Sequence, residues 1–334
     1  MTPIDREKIA ILRETFRLNY KITQLYAIYL ERCPELITEE MMKALCQDGE
    51  LEPKQALVGL LAEAFGIDVD GGQEQRRLIR DYLTPSVRIM DPKKYTENPY
   101  YKNIRLPNVK RDNWEIRTES YPAYRAVIAS DMLFFPGYRE VPPLGFFPER
   151  FEFPAVLENG NEWMTLTPVD LDTCEEAIAA AHGRVVTFGL GLGYYAYMAS
   201  EKKEVEEVTV VEISDKVISL FEEYILPQFP HREKIKIVKS DAFKYAEELM
   251  PAEGFDIAFV DTWRDASDGA PMYERMKRLE RLSPSTRFMY WIEGFLFSHI
   301  RSIKYAELIR RLDEGTDISY RELCDALDNP VDCK

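Results

Sequence analysis

The sequence predicts an α/β protein: a mostly parallel sheet with helices on both faces, joined to a mainly helical N-terminal domain. Three observations predict it. Apolar residues recur at helical spacing from Thr2 to Leu83, and between Arg184 and Ile292 five short apolar strands alternate with helical stretches. The first of those strands runs into "GLGLG", Gly189 to Gly193. Short apolar strands separated by helices form a parallel sheet buried on both faces.

At the start, Thr2, Pro3 and Asp5 supply an N-cap, a proline at the first helical position and an acid at the third. The stripe Ile9, Leu12, Phe16, Tyr20 follows at helical spacing. Further helices are expected at Thr38 to Cys46, Pro53 to Phe65 and Gln73 to Leu83, which makes residues 1–90 a helical domain. From 91 to 150 prolines and aromatics break the periodicity, as in "DPKKYTENPYYKNIRLP". That stretch reads as an irregular connector, either structural or bordering a pocket.

Residues 151–334 hold the sheet domain. "PAVLENGNEWMTLTP" is a hairpin signal, because Asn159-Gly160 suits a two-residue turn between apolar flanks. Thr167, Pro168 and Asp170 then cap a helix that ends near Gly183. Strands are expected at Arg184 to Phe188, Glu207 to Ile213, Ile235 to Lys239, Asp256 to Asp261 and Arg287 to Ile292. The intervening helices fall at Tyr194 to Glu201, Asp215 to Leu226, Ala242 to Leu249 and Pro271 to Arg281, and Phe295 to Cys324 is helical as well.

Composition narrows the function. The chain has 334 residues and a net charge of −15, so its long-range field repels polyanions and disfavours nucleic acid as a partner. No apolar run reaches membrane-spanning length, and charges occupy the start where a signal peptide needs its apolar stretch, so a cytoplasmic protein is expected. Cys33, Cys46, Cys174, Cys324 and Cys333 are scattered and read as reduced thiols; His182, His231 and His299 are equally dispersed. Their spacing supports neither a metal site nor a histidine-based triad. Oligomeric state is open, a homo-oligomer included.

In an open parallel sheet the ligand lies beyond the carboxyl ends of the strands, beside the first one. Gly189, Gly191 and Gly193 occupy that loop, and the helix at Tyr194 turns its amides toward it. Two cofactor classes use this geometry. A dinucleotide fingerprint can be laid on Gly191, Gly193 and Ala196, with Glu212 at the distance of a ribose-binding acid, which would make the protein a nicotinamide oxidoreductase. The later strand ends say more: "VTVVEIS" ends at Glu212, "KSDAF" carries Asp241 and Ala242, and "IAFVDTW" ends at Asp261.

That ordered set, over roughly Thr165 to Ile292, resembles the class I S-adenosylmethionine-dependent methyltransferases, a Rossmann-like superfamily. The resemblance implies S-adenosylmethionine as cofactor and a small-molecule acceptor as partner. It implies that the loop from Thr187 through Gly189, Gly191 and Gly193 meets the methionine part, that Glu212 holds the ribose, and that Asp241 and the Ala242 amide face the adenine. Asp261 would sit near the sulfonium, with Asp261 or Asp265 as the base. Asp268, in the same loop, reads equally as a helix cap. Tyr194, Tyr195 and Trp263 lie where an acceptor could stack or a sulfonium meet a ring, or are simply core.

Two departures stand out. The acid expected two positions before Gly189 is Thr187, and the antiparallel pair that closes such sheets is not evident, so either the sheet is shortened or the hairpin supplies edge strands. The order of hairpin, helix and sheet also resembles the spermidine synthase branch, which transfers an aminopropyl group. That family's glycine-loop aspartate is Leu192 here, and Asp261 and Asp265 stand four apart rather than three. Aminocarboxypropyl transfer, as in nicotianamine synthases, and a non-catalytic methyltransferase-like binding module complete the alternatives. The asparagine or aspartate, proline, proline, aromatic signature of amino-methylating DNA enzymes is absent after the fourth strand.

Overall fold

The computed structural model describes residues 3–111 and 113–331; the cap expected at Thr2, and Cys333, lie outside them. Two compact units emerge, each assembled from separate stretches of chain. One takes the chain up to Pro92, Ser120–Phe151 and Ile300–Pro330; the other takes Lys93–Glu119 and Glu152–His299, with Val331.

The first unit is built on one long helix, Pro3–Arg32. Leu18, Ile22 and Tyr26 enter a core with Leu57, Leu61, Leu78 and Phe146, while Ile9, Leu12 and Phe16 pack on Leu308, Leu323 and Leu327. The last helices of the chain therefore fold with the first. Tyr20, expected in the buried stripe, is 68% exposed, and Asn19 is buried instead. Asn19 is tolerated inside because its amide donates to the Tyr138 carbonyl and its oxygen accepts from the Tyr82 hydroxyl and the Glu140 amide. The stretch expected as an irregular connector is only partly so: Leu144–Phe146 pairs with Val87–Ile89 on one side and with Ala126–Ile128 on the other, in a three-stranded sheet of this unit.

In the second unit, the hairpin Phe151–Glu158 and Asn161–Thr165 turns on Asn159 and Gly160 at φ +54° and +79°, the left-handed pair that a type I′ turn requires. It belongs to a separate four-stranded sheet with Val109–Arg111 and Trp114–Tyr121. Helix α1 (Pro168–Ala180) leads into β1 (Gly183–Phe188), followed by α2 (Tyr194–Ser200), β2 (Val205–Glu212) and α3 (Asp215–Leu220). Next come β3 (Ile235–Lys239), α4 (Ala242–Glu248), β4 (Ile257–Val260), α5 (Ala266–Leu279) and β5 (Arg287–Tyr290). The order across the sheet is β3-β2-β1-β4-β5, every pair parallel. This unit is Rossmann-like.

The sheet ends at five strands among the described residues, and the hairpin lies outside it. Of the two readings of the missing closing pair, the shortened sheet holds. After β5 the chain continues as the helix Glu293–Asp313. Two helices differ from expectation. Helix α5 begins at Ala266 rather than Pro271, because Asp265 and Asp268 cap it, and Pro271 sits inside it. Helix α3 stops at Leu220 and continues as a wider turn, Phe221–Ile225, that buries Phe221.

Candidate functional site

The site is built where β1 and β4 run side by side and their connections leave in opposite directions across the sheet, to β2 on one side and β5 on the other. The glycine loop closes the end of β1. Gly189 has φ +94°, and a Cβ there would overlap the Asp261 carbonyl oxygen, so only glycine lets the two strand ends approach. Gly193 has φ +75°, and a Cβ would overlap the ring of Phe221. Gly191 differs: a Cβ there would meet nothing within 4 Å, so the loop faces open space at its middle glycine. The loop is fixed by the Gly189 amide on Val211 O at 2.9 Å, by the Gly193 amide on Leu190 O at 2.8 Å, and by the Tyr100 hydroxyl donating to Leu192 O at 2.5 Å.

Glu212 ends β2 and turns back onto this loop. Its Oε2 accepts the Leu190 amide at 3.1 Å and its Oε1 the Ser214 amide at 2.7 Å. Each carboxylate oxygen carries two lone pairs, so one on each oxygen is still available to a ribose hydroxyl. Asp241, at the end of β3, is exposed and caps α4 through Oδ1, which accepts the Lys244 amide at 2.9 Å. The Ala242 amide opens that helix. Ser240 ties β3 to β2 by donating to the Glu212 carbonyl at 3.1 Å.

Asp261 follows β4, its amide bonded to Phe188 O at 2.8 Å. Burial pushes its carboxyl up to about 8, and the charges of Asp170 and Glu212 push the same way. Asp170 was read from sequence only as a capping acid. A helix joined to the following parallel strand by a tight turn runs back along it, so the N-terminal turn of α1 lies at the carboxyl edge of β1, and Asp170 with it. Burial raises the Asp170 carboxyl to about 6, although the Thr167 amide and hydroxyl, 2.7 and 2.8 Å from Oδ2, pull it down. Cys174, one turn further along α1, is buried beside both acids; burial foremost, and then the two charges, holds its thiol well above the ordinary value.

The remaining residues separate by what they touch. Thr187 is 2% exposed and its hydroxyl donates back to Gly189 O, at 3.4 Å, leaving the strand end without a charge. Asp265 is occupied as a cap, its Oδ1 accepting from the Ser267 amide and hydroxyl at 2.7 and 2.6 Å. The Ser267 hydroxyl holds its carboxyl below the usual range. Tyr194 is buried, edge-on to Tyr100, with its hydroxyl accepting from Asn98 at 3.0 Å. Tyr195 lies flat on Phe259 of β4, centroids 4.3 Å apart. Trp263 is packed against Tyr273 and Tyr290, and Gly269 is small where a Cβ would come 2.7 Å from the indole. Sequence gave no signal for Asn98, Tyr100 or Cys174, whose approach depends wholly on tertiary structure. No group of three potential metal ligands occurs among the described residues.

No family model and no curated protein matches the chain. Solved structures do. A precorrin 8w decarboxylase, the product of gene MT0146 of Methanobacterium thermoautotrophicum, is similar at 16% identity and a TM-score of 0.30, over 46% of this chain and 75% of that one. Spermidine synthase from Thermotoga maritima is similar at 14% identity and 0.32, over 46% and 59%. A spermidine synthase in complex with the transition-state analogue AdoDATO is similar at 14% and 0.32, over 46% and 58%. The chain thus spans under two thirds of either synthase. Likeness at these TM-scores carries no argument about function, which rests on the residues themselves.

Proposed function

We propose that the sheet unit binds S-adenosylmethionine and that the protein is a transferase, methylating a small-molecule acceptor. The observation that carries this reading is the joint between two strand ends: a glycine loop open at Gly191, held by the carboxylate of Glu212, which keeps lone pairs for a ribose. Asp241 and the Ala242 amide stand at the next strand end for the adenine. Bound there, S-adenosylmethionine supplies an electrophilic carbon on a sulfur that leaves as a neutral thioether. The chain's own task is alignment, which can supply about 7 to 11 kcal/mol of a barrier. A carboxyl raised to about 8 is a stronger base than an ordinary aspartate, so Asp261 is suited to take a proton from the acceptor. Asp265, engaged as a cap, is not.

One observation favours a second reading. Among the described residues no lysine, arginine or histidine pairs with Asp170, Glu212 or Asp261. Acids without a basic partner favour an ammonium group without a carboxylate beside it, as in decarboxylated S-adenosylmethionine, and so aminopropyl transfer. The net charge of −15 accords with small cationic or neutral acceptors rather than nucleic acid. Among the described residues no helix is long and apolar enough to cross a membrane.

Calorimetric titration with S-adenosylmethionine, S-adenosylhomocysteine, decarboxylated S-adenosylmethionine and NADH tests the proposal. The first two are expected to bind. Preference for the decarboxylated form selects aminopropyl transfer, preference for NADH overturns the transferase reading, and silence from all four leaves a non-catalytic module.

A further inference from the structure

The glycine loop has little of its own to hold it. Gly189, Gly191 and Gly193 all have positive φ, a Cβ at Gly191 would meet nothing within 4 Å, and Glu212 secures the loop only at Leu190. Glycine backbone loses more freedom on ordering than any other, so such a loop needs support from outside. That support comes from a segment far away in sequence. Tyr100, in the short helix Pro99–Asn103, is 1% exposed, and its hydroxyl donates to the Leu192 carbonyl at 2.5 Å. Burial pushes its phenol far above the ordinary value, so the donated proton is kept at neutral pH and above.

The same segment is fastened at each step. The Asn98 side chain accepts the Tyr100 amide at 2.9 Å and donates to the Tyr194 hydroxyl at 3.0 Å. The Tyr101 hydroxyl donates to the Leu166 carbonyl at 2.5 Å, and the Asn103 side chain to the Tyr197 hydroxyl at 2.8 Å. Beyond the helix, the side-chain amide of Gln228 holds the Arg105 backbone both ways, accepting its N–H at 2.8 Å and donating to its carbonyl at 2.9 Å. Rings fill the space between. Tyr100 is edge-on to Tyr194 and Tyr197, Tyr197 to Phe229, and Phe229 to Phe221, whose ring backs Gly193. The loop is thus gripped at two consecutive residues, Leu192 by a hydrogen bond and Gly193 by packing.

We propose that Tyr100 is a positioning residue: its hydroxyl fixes the Leu192 carbonyl and so keeps the glycine loop in the form that receives the cofactor, with residues 98–105 as the strap that fixes Tyr100. The assignment rests on the S-adenosylmethionine reading and deepens it by naming what orders the loop before the ligand arrives. Ordering in advance removes that cost from binding, so affinity follows the fraction of molecules whose loop is set. The proline- and aromatic-rich stretch after Asp91 thereby supports the site without touching the ligand.

Tyr100→Phe and Tyr101→Phe, made in the full chain, are a matched pair. Each removes one hydroxyl that donates to a carbonyl at 2.5 Å, and only the first of those carbonyls belongs to the glycine loop. Both are expected to lower the melting temperature by about 2 to 4 °C. Tyr100→Phe alone is expected to weaken S-adenosylhomocysteine binding about 3- to 10-fold in calorimetry. It alone is also expected to speed amide hydrogen exchange at Leu190 and Gly193 about 5-fold or more in the ligand-free protein. Equal losses of affinity in the two variants mark a general destabilisation and overturn the assignment, as does unchanged affinity in Tyr100→Phe. Failure of wild type to bind overturns the cofactor reading instead. The exchange comparison then still decides whether Tyr100 sets the loop, and equal exchange in the two variants overturns that.

Discussion

Oε2 of Glu212 accepts the backbone amide of Leu190 at 3.1 Å, so the acid that ends one strand fixes the loop that ends its neighbour. Glu212→Ala is therefore expected to do two things at once. It removes the ribose acceptor, lowering affinity for S-adenosylhomocysteine by about 100-fold or more, and it frees two part-buried amides, costing about 1 to 3 kcal/mol of stability. Titration calorimetry and denaturant melts read the two effects separately. Unchanged affinity in a folded variant would sink the ribose assignment.

The glycines differ in what surrounds them, and their alanine variants are expected to differ accordingly. Gly189→Ala drives a Cβ into the Asp261 carbonyl at a left-handed φ, so a loss beyond about 3 kcal/mol, or failure to fold, is expected. Gly191→Ala, at φ +51° with nothing within 4 Å, is expected to cost about 1 to 2 kcal/mol of backbone strain and still fold. Because its methyl group enters the open space of the loop, Gly191→Ala is expected to lose ligand affinity out of proportion to its stability. Comparable melting loss for both variants would contradict the difference.

The buried acids predict how stability follows pH. Asp261 and Asp170 titrate in the folded protein near 8 and 6, above their unfolded value of 3.8, so the native state holds protons that the unfolded chain has released. Stability of the ligand-free protein is therefore highest near pH 4, as far as these two groups decide it, and falls as pH rises toward 8. Each group contributes a slope of at most about 1.4 kcal/mol per pH unit within its window. The titratable groups that act on them are Glu212 and Cys174. Asp261→Asn is expected to flatten the upper part of the curve, stabilising the protein at pH 8 and not at pH 4; a parallel curve would show that Asp261 titrates normally.

Cap and base are distinguishable after strand β4. Asp265→Ala removes the acceptor for the Ser267 and Asp268 amides and is expected to cost about 0.5 to 2 kcal/mol, with turnover by the folded protein nearly unchanged. Asp261→Asn is expected to lower kcat about 100-fold or more with a smaller change in KM. The reverse pattern would move the base to Asp265.

Local signals carried much of this fold into the sequence. Asn159-Gly160 can turn a hairpin in one way, and the five strands of the sheet are short apolar runs whose ends lie within a residue or two of expectation, because each is bounded by glycine, proline or a capping acid. Where two local signals competed, as at α5, the Asp265–Asp268 cap prevailed over Pro271. What sequence could not show depends on partners distant in the chain. Asn19 is buried because Tyr82, Tyr138 and Glu140 satisfy it, and Tyr20 is consequently turned out. Asp170 looks like any capping acid until the fold buries it where its charge acts on Asp261, far along the chain.

The most direct measurement is a crystal structure of the protein grown with S-adenosylhomocysteine. The account predicts the nucleoside against Gly191 and both ribose hydroxyls on Glu212. A ligand bound elsewhere, or ribose density away from Glu212, would contradict it.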